Sequence, residues 1–329
     1  MKAKGVRSRR AARKGGAGAP LQPLWRRVTV IGVGLIGGSL ALALRQRNLA
    51  KEVIGVGRSP ANLALARRRR IVNRVTSDPV EGVEGADLVV LAAPVGALPE
   101  LAKTIAPALA PGTVVTDVGS VKERLVRSLE AVMPPRAYFV GAHPIAGGEA
   151  SGAGAAKANL FEGSRCILTP TADTNARALA KVRKTWKAVG AEVLSMDAAE
   201  HDSVVATISH LPHLIAFAVM NAVASGHPRA LDFAGSGFRD FTRIAASHPE
   251  MWRDIVLANR ERIQSALDAT VSELQNFRKV MERQDARRLL EAFTRARDIR
   301  RSLDCRGSRG AKARGGAAAG RKTARKRKR

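Results

Sequence analysis

A glycine-rich turn that directly follows a short β-branched run constrains the fold of this chain more than any other feature. Residues 28–31 read V-T-V-I, and residues 32–37 read G-V-G-L-I-G before a helical stretch that runs to about Arg47. A strand, a G-x-G-x-x-G turn and a helix in this order open a dinucleotide-binding unit, in which the helix N-terminus holds a pyrophosphate. The residues expected to bind a nicotinamide dinucleotide here are Gly32, Gly34, Leu35, Ile36 and Gly37.

Short β-branched runs alternate with helical patterns up to about residue 196. The runs lie at residues 53–56, 86–92, 113–116, 138–140 and 166–168. This alternation predicts an α/β fold with a doubly wound parallel sheet covered by helices on both faces. From about residue 197 only helical patterns follow, and Ile263, Leu267, Val271 and Leu274 form an apolar stripe. We therefore predict a Rossmann-type dinucleotide-binding domain over 26–196 and an all-helical domain over 197–304.

The net charge of +28 is concentrated at the two ends of the chain. Residues 1–27 hold nine Lys and Arg and residues 305–329 hold eleven, with no acid in either segment, which leaves +8 for the remainder. Segments rich in Arg, Ala and Gly bury too little apolar surface to fold, so we predict disordered basic tails over 1–25 and 305–329. Without a helix-turn-helix motif, these tails are expected to bind polyanions non-specifically and no specific nucleic acid.

Several classes of protein are disfavoured by the composition. The two cysteines, Cys166 and Cys305, argue against a disulfide framework and against a structural zinc site, so no metal is expected. No uninterrupted apolar run of about 18 residues and no signal-peptide pattern is evident. The sequence therefore predicts a cytoplasmic protein with no membrane partner.

The end of the second predicted strand bears on the choice between NAD and NADP. NAD enzymes commonly place an Asp or Glu there to bind the adenosine ribose, whereas this chain has Gly57, Arg58 and Ser59. A guanidinium and a hydroxyl suit a 2′-phosphate, so Arg58 and Ser59 favour NADP. If Arg58 only stacks on the adenine, either cofactor binds, and NAD stays open. Ala93 and Pro94, at the end of the third run, are expected to line the same cofactor site.

Four polar segments carry a family resemblance. They read D-V-G-S-V-K over 117–122, G-A-H-P-I-A-G-G-E over 141–149, S-H-L-P-H over 209–213 and F-R-D-F-T-R-I over 238–244. Together with the G-V-G-L-I-G-G-S turn, these motifs resemble the prephenate/arogenate dehydrogenase family of tyrosine biosynthesis, over about residues 28–303. The resemblance implies an NAD(P)-dependent oxidoreductase that forms a homodimer through its helical domain.

The resemblance also implies roles for single residues. His143 corresponds to the general base that takes the proton of a ring hydroxyl, a role that suits a neutral imidazole. Ser120 is implied to bond the same hydroxyl, and Arg243 to bind a substrate carboxylate through its planar guanidinium. The remaining substrate-side residues implied by the family pattern are His213, His210, Glu149, Asp240 and Trp252.

Plainer structural roles stay open for some of these side chains. Ser120 stands where a helix N-cap is expected, because the helical pattern begins directly after it. His210 and Trp252 are equally compatible with packing in a core or a subunit interface, although the resemblance lets Trp252 reach the partner's active site. Asp240 would orient Arg243 on the same segment.

The expected reaction is the oxidative decarboxylation of prephenate to 4-hydroxyphenylpyruvate. L-arogenate, which carries an amino group in place of the oxo group, stays open as the alternative substrate. A β-hydroxyacid-type dehydrogenase would be expected to place a catalytic lysine in the helical domain, where this chain has the motifs above. A nucleic-acid-binding role carried by the basic tails is the remaining alternative.

Overall fold

The computed structural model describes residues 22–148 and 150–303. The two predicted basic tails fall outside these residues, except for the last few residues before Trp25. Trp25 itself belongs to the first strand and not to a tail, because its side chain is 1% exposed and its indole N–H donates to Thr185 Oγ1 at 2.9 Å. Glu149 also lies outside the described residues.

A six-stranded parallel sheet forms the first layer of the structure. Its strands are β1 (Trp25–Ile31), β2 (Ala50–Val56), β3 (Arg74–Thr76), β4 (Leu88–Leu91), β5 (Val114–Asp117) and β6 (Tyr138–Val140). They lie in the order β3-β2-β1-β4-β5-β6, with every neighbouring pair parallel. The predicted doubly wound sheet is therefore confirmed.

Helices cover both faces of this sheet. They are α1 (Leu35–Gln46), α2 (Pro60–Arg68), α3 (Pro79–Val83), α4 (Leu98–Ile105) and α5 (Glu123–Glu130). Val30 of β1 packs in one core with Leu40 of α1, whereas Val89 of β4 packs in a second core with Leu98 of α4. Because apolar residues point to both faces, the strands read as unbroken apolar runs.

A second, three-stranded sheet was not predicted. It contains β7 (Ala142–Ile145), β8 (Arg165–Leu168) and β9 (Glu192–Ser195), in that order, and α6 (Ala176–Ala188) connects β8 to β9. β7 and β8 are antiparallel and β8 and β9 are parallel. Gly141 separates β6 from β7, and a Cβ there would lie 2.5 Å from Thr169 Oγ1. The chain therefore leaves the first sheet at Gly141, directly before His143.

The described residues after Ser195 contain helices and turns only, which confirms the predicted change to all-helical structure. The helices are α7 (Ala198–Val205), α8 (Leu211–Gly226), α9 (Ser236–Thr242), α10 (Pro249–Ala258), α11 (Arg260–Glu282) and a helix over 286–303. A single π-helical turn, Ala206–His210, joins α7 to α8. The chain forms two compact units that meet after Ile263, within α11. The predicted domain boundary at residue 196 is a different division and stays a prediction.

The unit that begins at Gln264 pairs the remainder of α11 with the helix over 286–303. The Phe277 and Phe293 rings stack with centroids 5.7 Å apart, and Arg295 pairs with Glu273 at 3.2 Å. Large apolar side chains of this unit are nevertheless exposed, namely Val271, Leu274, Met281, Leu290, Phe293, Ile299 and Leu303. An apolar surface of this kind is typical of a subunit interface.

One helical stretch, Ala198–Gly226, is long and apolar enough to cross a membrane by length and composition alone. No such stretch was expected from the sequence. This stretch contains the buried polar side chains of His201, Asp202 and His210. Those three residues belong to the site described below.

Candidate active site

The glycine-rich turn joins β1 to α1 at the carboxyl edge of the parallel sheet. Gly32 has a φ of +102°, and a Cβ there would lie 2.3 Å from the carbonyl oxygen of Ala92. A Cβ on Gly37 would lie 2.1 Å from the Gly32 carbonyl oxygen, whereas nothing lies within 4 Å of a Cβ built on Gly34. α1 begins at Leu35 without a side-chain cap, so its first N–H groups have no side-chain partner. This close-packed turn with open space at its apex fits a pyrophosphate.

The residues expected to select the cofactor lie beside this turn. Arg58 is exposed directly after β2, and the Ser59 hydroxyl caps α2 by accepting the N–H of Asn62 at 3.2 Å. Asn62 in turn donates to the carbonyl oxygen of Val33 at 2.9 Å, which fastens α2 to the glycine-rich turn. Ser59 therefore has a structural role as the N-cap of α2, and its role in cofactor binding stays a prediction. Asn62 was not singled out from the sequence.

Ala93 and Pro94 follow β4 on the same side of the sheet. The backbone N–H of Ala92 donates to the carbonyl oxygen of Ile31 at 2.7 Å, so the chain after β4 runs beside the end of β1. Ala93 is partly buried and Pro94 is exposed. Their place next to the glycine-rich turn is the one that a cofactor-lining segment requires.

Asp117 and Lys122 form an ion pair in which both side chains are fully buried. The Asp117 carboxylate also accepts the N–H of Gly119 at 2.8 Å and the N–H of Ala142 at 3.0 Å. Because Ala142 immediately precedes His143, this carboxylate joins the end of β5 to the strand that carries the histidine. The sequence showed the D-V-G-S-V-K segment, but only Ser120 was given a role.

Ser120 is partly buried between β5 and α5, but it does not cap the helix as its position suggested. α5 begins at Glu123, and its cap residue is Lys122. The backbone N–H groups of Lys122 and Glu123 donate instead to the two carboxylate oxygens of Asp202, at 2.7 and 2.8 Å. A residue 80 positions away therefore caps this helix. No local sequence pattern could have revealed it.

His143 stands at the head of a short chain of hydrogen bonds. His143 Nδ1 lies 2.8 Å from His201 Nε2, and His201 Nδ1 lies 2.8 Å from Asp202 Oδ1. The side chain of His201 is 0% exposed and that of Asp202 4%. Neither His201 nor Asp202 was predicted, since E-H-D within a helix is not a distinctive pattern.

The surroundings of His143 favour its neutral form. Burial lowers the pKa of His143 well below its ordinary value, because the charged imidazolium loses hydration there. Electrostatic repulsion from His201, Lys122 and His210 lowers this pKa further. At neutral pH His143 is therefore an imidazole that can accept a proton.

Three predicted substrate-side residues pack together. The His213 ring stacks on the Trp252 indole with centroids 3.7 Å apart, and the His210 ring meets the same indole edge-on at 5.9 Å. His210 is 1% exposed, and burial lowers its pKa to about 4. Trp252 is buried as well, whereas His213 is only half-buried. Of the three rings, His213 is thus the one that a small molecule can reach directly.

Arg243 lies near His213 in the described structure. Burial lowers the pKa of His213, and the charge of Arg243 lowers it further. Asp240 is exposed on α9, and its side chain forms no hydrogen bond or ion pair within residues 22–148 and 150–303, so it does not contact Arg243 there. Glu149 falls outside those residues. The structure therefore groups His143 with His201 and Asp202, and His213 with Trp252 and Arg243.

A glycine-rich turn fit for a dinucleotide, with a neutral histidine beside the neighbouring strand ends, defines a nicotinamide-dependent dehydrogenase. Two family models match this chain. The first, prephenate dehydrogenase, nucleotide-binding domain, covers residues 40–195, and the second, prephenate dehydrogenase, dimerization domain, covers residues 197–295. The chain belongs to the prephenate dehydrogenase family, which confirms the resemblance read from its motifs.

Individual relatives agree with this assignment. Prephenate dehydrogenase of Bacillus subtilis is 36% identical over 286 residues, which are 85% of this chain and 76% of the relative. Cyclohexadienyl dehydrogenase of Zymomonas mobilis is 35% identical over 85% of this chain and 97% of its own length. A crystal structure of prephenate dehydrogenase from A. aeolicus with hydroxyphenyl propionate and NAD+ is 36% identical, with a TM-score of 0.80 over 84% of this chain and 98% of that one.

Proposed function

We propose that this chain oxidises and decarboxylates prephenate to 4-hydroxyphenylpyruvate. The observation that carries the proposal is the imidazole of His143, which Asp117 holds through the N–H of Ala142 at the carboxyl ends of the strands, the same edge of the sheet as the glycine-rich turn. The identity to a prephenate dehydrogenase supports the choice of substrate. L-arogenate is the second candidate, because a relative of nearly equal identity is a cyclohexadienyl dehydrogenase.

His143 acts as the general base in this proposal. Its Nε2 accepts the proton of the ring hydroxyl, and Ser120 donates a hydrogen bond to the same oxygen. A bound nicotinamide dinucleotide supplies the hydride acceptor. As the hydroxyl carbon loses its hydride and becomes a carbonyl carbon, the ring carboxylate leaves as CO2. The electrons of the broken carbon–carbon bond make the ring aromatic and pass to the carbonyl oxygen, which takes the proton back from His143 to give the phenol. The gain of aromaticity makes the reaction effectively irreversible.

The substrate carboxylates need cations, and Arg243 is the proposed one. Its planar fork suits a bidentate pair with a carboxylate. His213 lies beside it, held by the stack on Trp252 and by its Nδ1, which lies 2.8 Å from the carbonyl oxygen of Ser209. His210 and Trp252 support His213 from within the core, and Asp240 and Glu149 stay proposed substrate-side residues on the family pattern alone.

The proposed cofactor site is built on the glycine-rich turn. The residues that would hold the dinucleotide are Gly32, Gly34, Leu35, Ile36, Gly37, Arg58, Ser59, Ala93 and Pro94. NADP is the proposed preference, since no acid follows β2 and the exposed Arg58 stands in its place. NAD is the alternative, because NAD+ is the dinucleotide in the A. aeolicus structure.

Replacing Arg58 with aspartate should shift preference from NADP toward NAD. The guanidinium would no longer pair with the 2′-phosphate, and a carboxylate there would repel it. The measurement is the ratio of kcat/KM for the two cofactors. Arg68→Asp, at the exposed far end of α2, makes the same charge change and should leave the ratio unaltered. Equal ratios in both variants and the wild type would show that Arg58 does not read the 2′-phosphate.

The assembly and location proposed here follow the family. A homodimer would cover the exposed apolar side chains of the unit from Gln264 onward, and the matched model is named for dimerization. We place the enzyme in the cytoplasm, with a small-molecule substrate and no membrane or specific nucleic-acid partner. The basic tails are accessory to the reaction.

The decisive experiment crosses prephenate and L-arogenate with NAD and NADP and follows the absorbance of the reduced nicotinamide. Reduction with prephenate, faster than with L-arogenate, is the expected result. Faster reduction with L-arogenate would replace the first candidate with the second. No reduction in any combination, from folded protein that binds a dinucleotide, would overturn the proposed function.

A further inference from the structure

We infer that His201 and Asp202 are positioning residues that fix the tautomer and ring orientation of His143. This inference rests on the proposed function for its kinetic consequences, but it stands on the hydrogen-bond geometry by itself. An ionised carboxylate can only accept hydrogen bonds. Since Asp202 Oδ1 lies 2.8 Å from His201 Nδ1, that nitrogen must carry the hydrogen.

The tautomer of His143 follows from that of His201. With its hydrogen on Nδ1, neutral His201 presents the lone pair of Nε2, which lies 2.8 Å from His143 Nδ1. His143 must then carry its hydrogen on Nδ1 and donate it to His201. The Nε2 atom of His143 is left with a free lone pair, which is the form a general base needs.

Several hydrogen bonds fix the position of Asp202, and through His201 this carboxylate fixes the position of the His143 ring. Its two oxygens accept the N–H groups of Lys122 and Glu123 at 2.7 and 2.8 Å. Its backbone carbonyl oxygen accepts from Asn259 Nδ2 at 2.8 Å. The N–H groups of Lys122 and Glu123 and the Nδ1 of His201 thus meet at this carboxylate, which stabilises the imidazolium that forms when His143 takes a proton.

Two substitutions of His201 separate positioning from mere packing. His201→Leu fills similar space but cannot accept from His143 Nδ1, and it should lower kcat about 10²-fold, the scale of a misplaced catalytic group. His201→Gln supplies a carbonyl oxygen that accepts the same hydrogen, and it should restore kcat to within about tenfold of the wild type. KM and the Kd for the dinucleotide should stay near wild-type values in both variants.

The role of Asp202 is tested against a second aspartate of the same helix, Asp197, which is the N-cap of α7. Asp202→Asn weakens the anchor and should lower kcat about tenfold, because the amide carries no charge to hold the His201 tautomer. Asp197→Asn makes the same change at the N-cap of the same helix, where its side chain accepts from Ala199 and Glu200. Asparagine caps helices as well as aspartate, so this control should keep wild-type kcat.

Long-range 1H–15N correlation of protein labelled at its six histidines reads the tautomers without any substrate. At neutral pH the wild type should show the Nδ1–H tautomer for His143 and His201, assigned by the loss of their signals in His143→Asn and His201→Leu. In Asp202→Asn the His143 signals should move toward the Nε2–H tautomer. A wild-type Nε2–H tautomer at His143 would overturn the inference.

The kinetic outcomes are equally decisive. Folded His201→Leu with near-wild-type kcat, or His201→Gln as inactive as His201→Leu, would show that the ring of His201 does not act as an acceptor for His143. If the wild type reduced no dinucleotide with either substrate, the proposed function would fail, while the tautomer measurement would still decide the hydrogen-bond chain. The two failures are therefore distinguishable.

Discussion

Replacing His143 with asparagine should lower kcat by about 10²- to 10⁴-fold, the usual contribution of a general base. The amide has a similar size but no basic nitrogen, so the ring hydroxyl would keep its proton. The Kd for NAD or NADP should change little, because the dinucleotide is proposed to lie on the glycine-rich turn. Steady-state kinetics and a cofactor titration by intrinsic fluorescence measure both quantities. His227→Asn, at an exposed histidine, is the matched control.

The same prediction has a pH dependence with a defined sign. The pKa of His143 is lowered, so the neutral base persists as pH falls below the ordinary histidine value of about 6.5. The acidic limb of kcat/KM, which reports the free enzyme, should therefore lie below that value and disappear in His143→Asn. Near-normal turnover of the variant, or an unchanged acidic limb, would refute the assignment of His143 as the base.

Replacing Lys122 with methionine should lower the free energy of unfolding by about 3–5 kcal/mol, the range for removing one partner of a buried ion pair. The methionine fills most of the space, but Asp117 would keep a buried charge with only the N–H groups of Gly119 and Ala142 to stabilise it. Denaturant unfolding of the intact enzyme measures the change. Because Ala142 precedes His143, residual activity should fall as well.

An exposed ion pair supplies the control for this second prediction. Lys103 pairs with Glu100 at 2.7 Å on the surface of α4, with both side chains more than half exposed. Lys103→Met should change the unfolding free energy very little, since exposed pairs contribute little. Equal losses in the two variants would mean that methionine itself, and not the buried charge left behind, destabilises the protein.

The features that could be predicted from the sequence depend mostly on residues that are close together in the chain. The glycine-rich turn was legible because Gly32 needs a positive φ and Gly37 leaves no room for a Cβ, so the pattern reflects backbone geometry. The parallel strands were legible because both of their faces are buried. By contrast, the second sheet depends on the antiparallel pairing of His143 with Ile167, which lie 24 positions apart with no hairpin turn between them.

The same contrast holds for the candidate site residues: those in local motifs could be predicted, and those brought in by folding could not. His143 was found because it lies in a motif that resembles a known family. His201 lies 58 positions away and touches it only after folding, and neither its residue type nor its spacing marks it. For Ser120, the position in the sequence also allowed a role as the N-cap of α5, yet the cap comes from Asp202. Contacts between distant positions of the chain are set by tertiary packing, which a single sequence does not display.

Asp202 both caps α5 and bonds His201, and this restricts which chimeras of this enzyme with a relative can work. Residues 26–196 contain the glycine-rich turn and His143, but the carboxylate that caps α5 and holds His201 belongs to the helical part. A chimera that takes its helical part from a relative must therefore bring an acid for the α5 N-terminus together with its substrate contacts. The glycine-rich turn lies entirely within residues 26–196, whereas the hydrogen bonds that hold His143 extend into the helical part.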